Sequence, residues 1–152
     1  MFGIWNKKKI GIAIMAIIAV TGLVLYYNFE LKDQLLLGGL DPESYDAGCV
    51  ILDISGDEIT LAPQNYDADE PEAYAEYVEQ KELAESLRCF SLDIDTAINQ
   101  NGERNSTERY EKISINEMRK TLDSGLPTAY IWYDEKGSID VIMLYGETTR
   151  EE

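Results

Sequence analysis

An uninterrupted apolar run near the N-terminus constrains this chain more than any other feature. From Ile10 to Tyr27 it reads IGIAIMAIIAVTGLVLYY, with no charged residue and with polar side-chain atoms only at Thr21, Tyr26 and Tyr27. As an α-helix this run would be roughly 27 Å long, close to the thickness of a bilayer's hydrocarbon core. A helix buried in a soluble core normally carries a polar stripe, and this run has none. The sequence therefore predicts a transmembrane helix over 10–27, in contact with membrane lipid.

Three consecutive lysines orient the predicted helix. Lys7, Lys8 and Lys9 stand immediately before it, and basic flanks of this kind stay in the cytoplasm. Residues 1–9 are thus predicted to be a basic cytoplasmic stub, and the C-terminal domain is expected to be extracytoplasmic, in a single-pass protein of the cell membrane. A cleaved signal peptide would have a similar start. No clear small-x-small cleavage site follows the run, which favours a retained signal-anchor.

The rest of the chain is strongly acidic. The sequence holds 29 Asp and Glu against 13 Lys and Arg, a formal net charge of −16. Nucleic-acid binding depends on clustered Lys and Arg that displace counterions from phosphates, so nucleic acid is not an expected partner. The negative field would attract cations or basic protein surfaces, although solubility alone is the simpler explanation.

Changes in pattern divide the exposed part into three. Residues 28–47 are predicted to be a juxtamembrane linker, because Gly38-Gly39 and Asp41-Pro42 interrupt regular structure. Residues 48–147 are predicted to form one compact domain, and 148–152 an acidic tail.

Alternating apolar residues predict five strands in this domain. CVILDI and EITLA flank a tight turn at Ser55-Gly56-Asp57, and TAYIWYD and SIDVIMLYG flank a second turn at 135–137. RCFSLDID, which begins at Arg88, supplies the strand between these hairpins. A polar loop is predicted at 99–109.

Two helices are predicted among the strands. An insert at 69–88 has Asp69 as N-cap and Pro71 in the first turn. Ser114 and Glu117 form a capping box for a second helix, which Gly125 ends. The order ββ-α-β-α-ββ predicts an α+β fold: an N-terminal transmembrane helix plus a small β-barrel of about five strands with two helices.

Three stretches of the domain resemble a known class of proteins. They are Gly48-x-Val50-x-x-x-Ile54-Ser55-Gly56-x-x-Ile59-Thr60-Leu61, Phe90-x-Leu92-x-x-Asp95-Thr96-x-Ile98, and Leu122-x-x-Gly125 before a hairpin around Gly137. Together they resemble small bacterial extracytoplasmic β-barrel domains of the OB/SH3-like type, many of which have no known function. The resemblance covers about 48–146. It implies a non-enzymatic binding or structural module and supplies no catalytic residues.

The residue types leave few routes to catalysis or metal binding. The chain has no histidine, which removes the commonest general base and the usual zinc ligand set. Residues 97–108 partly match a calcium-binding loop, but Ala97 stands where an Asp is needed, and an Asn-Gly turn is the better interpretation. No cofactor, metal site or catalytic residue is predicted. An envelope enzyme using Asp and Glu, or a cation or ligand sensor using the acidic loops, would be the alternatives.

Two cysteines open similar strands. Cys49 and Cys89 begin CVILDI and CFSLDI. An oxidising compartment would permit a disulfide between them, and two free thiols are the other reading.

The final hairpin is apolar on both faces, so one face can fill the barrel and the other needs a cover. The simplest expectation is that the 69–88 helix covers it with Tyr74, Tyr77 and Val78. The alternative is an exposed patch that docks a partner, since Trp and Tyr are favoured at interface anchors. The candidate partner-binding residues are Tyr130, Trp132, Ile142, Leu144, Tyr74 and Tyr77.

The function that we expect is that of a membrane-tethered interaction or structural module, with another envelope protein as its partner.

Overall fold

The computed structural model describes residues 2–27 and 32–151, with side chains from Asn6 onward. Residues 1, 28–31 and 152, which belong to the predicted stub, linker and tail, lie outside the described residues. The chain divides into two compact units, residues 1–40 and 41–152. Each unit is described separately.

The first unit consists of two helices. α1 spans Phe2–Tyr26 and α2 spans Lys32–Leu37. Within α1, the 21 residues Asn6–Tyr26 are long and apolar enough to cross a membrane, and none of the most apolar window is buried. Helix α1 already includes Lys7, Lys8 and Lys9, so the predicted basic stub is the first part of the same helix. The predicted linker 28–47 is not irregular throughout, since it contains α2, which ends at Gly38 and Gly39 with positive φ of 59° and 82°.

The second unit contains six strands. They are β1 Ala47–Ser55, β2 Glu58–Pro63, β3 Glu79–Ile98, β4 Arg104–Ile113, β5 Thr128–Tyr133 and β6 Ile139–Glu151. A 3₁₀ helix, Pro71–Tyr77, precedes β3, and α3 spans Ile115–Thr121 between β4 and β5. With the N-terminal apolar helix and the barrel closure described next, these elements confirm the predicted α+β class.

Five of the strands close into a barrel. In the sheet order β2-β1-β5-β6-β3-β4, an additional pairing of β2 with β3 joins the two ends of the five-stranded part. β3 is long enough to do this because its start, Glu79–Glu82, pairs with β2, and its remainder pairs with β6 in parallel. β4 is a sixth strand outside the closed barrel, paired antiparallel to β3.

The barrel interior is filled by a single apolar cluster. Its buried members are Cys49, Ile51, Ile54, Ile59, Leu61, Cys89, Met118, Ala129, Ile131, Ile139, Ile142 and Leu144. Met118 comes from α3 and is completely buried, so this helix closes one end of the barrel. Fully burying a side chain of this kind stabilises a fold by roughly 1.5–3 kcal/mol.

Two bulges shift which residues face inward. The pairing of β1 with β2 slips at Leu52, and that of β5 with β6 slips at Asp140. A bulge places one extra residue in a strand, so the alternation reverses beyond it. Simple alternation puts Ile142 and Leu144 on the outer face with Trp132. That prediction was wrong, because after the bulge both residues pair with Ile131 and Ala129 and face the core.

The prediction of a helix over 69–88 was also wrong. Only Pro71–Tyr77 is helical, as a 3₁₀ turn whose N-cap Glu70 makes no side-chain cap bond, and β3 begins at Glu79. The sequence EQKELAESL has high intrinsic helix propensity, but this preference amounts to only tenths of a kcal/mol per residue. Pairing with both β2 and β6 closes the barrel, and this tertiary gain outweighs the local preference.

Two further segments predicted to lie outside the sheet are strands. The loop 99–109 is in fact limited to 99–103, because β4 begins at Arg104. The Asn-Gly turn inside it is as expected: the side chain of Asn99 accepts hydrogen bonds from the N–H groups of Asn101 and Glu103, and Gly102 has φ 79°. The predicted tail 148–152 continues β6 as far as Glu151, beside β3.

The capping box of α3 is confirmed. The hydroxyl of Ser114 accepts from the N–H of Glu117 at 3.1 Å, and the Glu117 carboxylate accepts from the N–H of Ser114 at 3.0 Å. We expect Ser114→Ala to lower the free energy of unfolding by about 1 kcal/mol, because it leaves an amide of the first turn without its partner. Ser114→Thr keeps the acceptor and should restore most of the loss. Urea unfolding of the full chain in detergent measures both, and equal losses for Ala and Thr would contradict the capping role.

Candidate functional site

An aromatic cluster lies on the outer face of β5 and β6. The ring of Tyr45 stacks on Tyr130 with centroids 4.3 Å apart and meets Trp132 edge-on at 6.3 Å, and Tyr130 meets Tyr145 at 5.8 Å. The indole N–H of Trp132 donates to the hydroxyl of Ser44 at 3.3 Å, and Trp132 is only 7% exposed. The chain before β1 is held there because the N–H of Asp46 bonds to the carbonyl of Ile131 at 2.9 Å.

The candidate docking residues are not brought together as one exposed patch. Trp132 is covered by Ser44 and Tyr45, and Tyr130 is half-buried between Tyr45 and Tyr145. Tyr74 packs on Tyr66 with centroids 5.5 Å apart, and Tyr77 is 63% exposed. The cover of Trp132 is thus the segment just before β1 rather than the predicted helix. No pattern in the sequence marked this segment as a cover, because 41–46 contains only Tyr45 as a large apolar residue.

A groove of about 1250 Å³ opens at one end of the barrel. It lies where β3 leaves β2 for β6, because the pairing of β3 with β6 is irregular between Leu83 and Arg88. The hairpin turns β1–β2 and β5–β6 and the start of α3 form its other sides. Leu83, Leu87, Ile113 and Ile115 line it and pack against the core cluster. The groove thus has an apolar floor.

The rim of the groove carries charges of both signs. Of the nine Lys and Arg in residues 41–152, four line it: Arg88, Lys112, Arg119 and Lys136. Five acids line it as well: Asp57, Glu58, Glu82, Glu85 and Asp134. The charge around the groove is therefore nearly balanced, unlike that of the unit as a whole. Sequence reasoning missed this site because its residues come from five separate segments.

Side-chain hydrogen bonds hold the turns around the groove in place. Arg119 donates to the carbonyl of Gly56 at 3.1 Å and so ties α3 to the β1–β2 turn. Gly56 has φ 59°, which suits the first position of a tight hairpin turn. The carboxylate of Asp134 accepts from the N–H groups of Lys136 and Ser138, both at 2.9 Å. The rim is thus preorganised by side-chain contacts.

Cys49 and Cys89 are both buried free thiols. They lie on β1 and β3, which do not pair with each other, and the disulfide considered from the sequence stays a prediction. The thiol of Cys49 points at the carbonyl of Ala129 at 3.7 Å. Burial raises the pKa of Cys49 to about 12 and that of Cys89 to about 11. Neither sulfur is therefore a nucleophile at neutral pH.

Within residues 2–27 and 32–151, no group of three or more His, Cys, Asp or Glu is arranged to hold a metal ion. Two acidic side chains of β3 instead form ion pairs with arginines. The guanidinium of Arg109 lies 3.8 Å from the carboxylate of Asp93, and that of Arg150 lies 3.3 Å from the carboxylate of Asp95. Such exposed pairs contribute roughly 0–1 kcal/mol each.

No protein-family model, curated protein sequence or solved structure matches this chain.

The buried thiols predict a fall in stability at alkaline pH. Because each folded-state pKa is raised above the ordinary value of 9.0, the stability they contribute is complete below pH 9 and is lost as the pH rises towards 11–12. Urea unfolding of the full chain between pH 8 and pH 11 measures this. Cys49→Ala and Cys89→Ala should each have a shallower decline than wild type, and Cys89→Ala is the cleaner comparison because the charge of Cys49 also raises the pKa of Tyr133. Identical slopes would show that neither thiol ionises differently on folding.

Proposed function

We propose that this chain is a membrane-tethered extracytoplasmic interaction module without catalytic activity, which binds a segment of another envelope protein in the groove at the end of its barrel. The observation that carries the proposal is the groove itself, with its apolar floor and its rim of fixed turns and charges of both signs. The rim contains no histidine, the commonest general base, and the one thiol that lines the groove, Cys89, has a raised pKa.

The tether is supported by the first helix. Asn6–Tyr26 is long and apolar enough to span a bilayer, with apolar side chains exposed on every side. The three lysines at its start favour a cytoplasmic N-terminus. The acidic unit that follows would then lie outside the cytoplasm.

The order of the barrel strands supports an OB-type barrel. β4 lies outside the barrel, so the five barrel strands β1, β2, β3, β5 and β6 can be numbered 1 to 5 in chain order. They then close in the order 1-2-3-5-4, with strands 3 and 5 parallel. Helix α3 lies between strands 3 and 4 of this numbering. Barrels of this type bind ligands over strands two and three and the flanking hairpin loops. The groove has the same elements: the β1–β2 turn, the middle of β3 and the β5–β6 turn.

The chemistry of the groove favours a polypeptide as its occupant. An apolar side chain of the partner would pack on Leu83 and Leu87, and its polar groups would meet the charged rim. A nucleic acid is disfavoured because the rim has no net positive charge to bind phosphates, and the chain as a whole carries a net charge of −16.

The orientation is testable by protease digestion. Protease added to intact spheroplasts or protoplasts should digest the unit 41–152 and leave a membrane-embedded fragment with the original N-terminus. Digestion only after permeabilisation would contradict the extracytoplasmic placement. In a Lys7→Gln, Lys8→Gln, Lys9→Gln variant the digested fraction should fall, because the positive flank that sets the orientation is gone.

The groove is testable with two matched charge reversals. Lys136→Glu changes the rim, whereas Lys120→Glu makes the same change in net charge at an exposed position of α3 that does not line the groove. With full-length protein as bait in solubilised membranes, wild type and Lys120→Glu should recover the same partner. Lys136→Glu should bind it roughly tenfold more weakly, since a reversed charge in an interface costs more than 1 kcal/mol. Equal weakening by both variants would attribute binding to the overall field instead.

A further inference from the structure

We propose that two copies of this chain associate along the outer edge of β4, which pairs antiparallel with its own copy about a two-fold axis at Tyr110. This association does not depend on the proposed function, although Lys112 belongs both to β4 and to the rim of the groove.

β4 is the edge of the sheet. It stands last in the strand order, and within residues 2–27 and 32–151 it pairs with β3 alone. The ten residues Arg104–Ile113 are exposed except for Tyr110 and Ile113, which are half-buried. A long, regular edge strand is a template for another strand, and proteins that avoid such pairing usually shorten the strand, bulge it, interrupt it or place charged side chains on it. The register of β4 with β3 has no bulge from Arg104 to Ile113.

The backbone groups that face outward belong to the even-numbered residues. At the turn, the N–H of Asn99 bonds to the carbonyl of Glu103 at 3.0 Å. Hydrogen-bonded and non-hydrogen-bonded pairs alternate along an antiparallel ladder. Odd-numbered residues of β4 therefore direct their backbone groups to β3, and even-numbered residues, including Glu108 and Lys112, direct theirs to the outer edge. A two-fold axis at residue 110 brings even-numbered residues opposite each other, which is the arrangement that such hydrogen bonds require.

The side chains of β4 are complementary to themselves in this register. Residues 108–112 read Glu-Arg-Tyr-Glu-Lys. With residue 110 opposite its own copy, Glu108 stands opposite Lys112 and Arg109 stands opposite Glu111, and each pair occurs twice. All charges in this segment thus meet an opposite charge, and pairs of this kind favour strand association.

Neighbouring registers lack this match. An axis at 109 or 111 places Arg109 or Glu111 against its own copy, and an axis at 108 places Glu108 against itself. Like charges directly opposite each other are destabilising. Among axes between residues 108 and 112, the charge pattern therefore favours the one at 110.

The charge of the strand also favours association here. β4 contains three basic residues, Arg104, Arg109 and Lys112, and two acidic ones, Glu108 and Glu111. It is thus slightly positive in a chain of net charge −16. Two copies that approach through β4 meet where their mutual repulsion is weakest.

A charge-reversal mixture tests the register. Glu108→Lys places two lysines opposite each other in its own dimer, and Lys112→Glu places two glutamates opposite each other, so each variant alone should dimerise at least ~10-fold more weakly than wild type. In an equimolar mixture, each of the two 108–112 contacts of the mixed dimer joins a lysine of one chain to a glutamate of the other. The mixed dimer should therefore regain an affinity within ~3-fold of the wild-type dimer, and a mixture that associates no more tightly than either variant alone would contradict this register.

The double variant Glu108→Lys, Lys112→Glu supplies the rescue. It exchanges the two charges, so both 108–112 contacts are again opposite in sign, and its dimer should return to within ~3-fold of wild-type affinity. Analytical ultracentrifugation of the full chain in detergent micelles measures wild type, both single variants and the double variant. Recovery in the double variant also shows that neither substitution prevents folding.

Cysteine cross-linking tests the axis. In a hydrogen-bonded antiparallel pair the two Cα atoms are about 5.5 Å apart, within the reach of a disulfide. Tyr110→Cys should therefore give a disulfide-linked dimer of the full chain on mild oxidation. Glu108→Cys should not, since its copy would lie roughly 13 Å away along the strand. A wild-type chain that stays monomeric at all concentrations, equal cross-linking at both positions, or a double variant that fails to associate would each overturn the proposal.

Discussion

The barrel depends on the double pairing of β3. Its first residues pair with β2 and its later residues with β6, so a single strand supplies the contact that closes the sheet on itself. The same change of partner leaves an irregular segment between Leu83 and Arg88, and the groove opens at that segment. Closure and groove are therefore two consequences of one feature. A helix at 69–88 would have removed both.

The distribution of charge gives different surfaces of the acidic unit different properties. Its few basic residues are concentrated at the groove and on β4, and Lys112 belongs to both. Elsewhere the surface is negative, which keeps copies of the chain apart and disfavours polyanions. Long-range electrostatic repulsion therefore opposes association less at the groove rim and at the β4 edge than elsewhere on the unit. Short-range contacts then decide which partner binds.

The cover over Trp132 shows how a short polar segment can complete a small fold. The sequence of Ser44, Tyr45 and Asp46 contains only one large apolar side chain. Even so, Ser44 accepts a hydrogen bond from the indole, Tyr45 stacks on Tyr130, and the N–H of Asp46 bonds to the backbone of β5. Backbone and aromatic contacts at an edge leave no periodic signal along the chain. The surface predicted to dock a partner through Trp132 is therefore mostly closed.

The sequence by itself determined the features that depend on neighbouring residues. The apolar run of α1, the turns at Gly56 and Gly137, the capping box at Ser114 and the alternation of five strands all follow from local physical chemistry, and together they predicted the barrel class. Only the tertiary structure decided the rest. Bulges at Leu52 and Asp140 reversed the faces of their strands, so Ile142 and Leu144 entered the core. Pairing across the barrel turned a helix-favouring segment into β3. The groove could not be predicted because its residues meet only when the barrel closes, and closure is set by contacts between strands far apart in the chain.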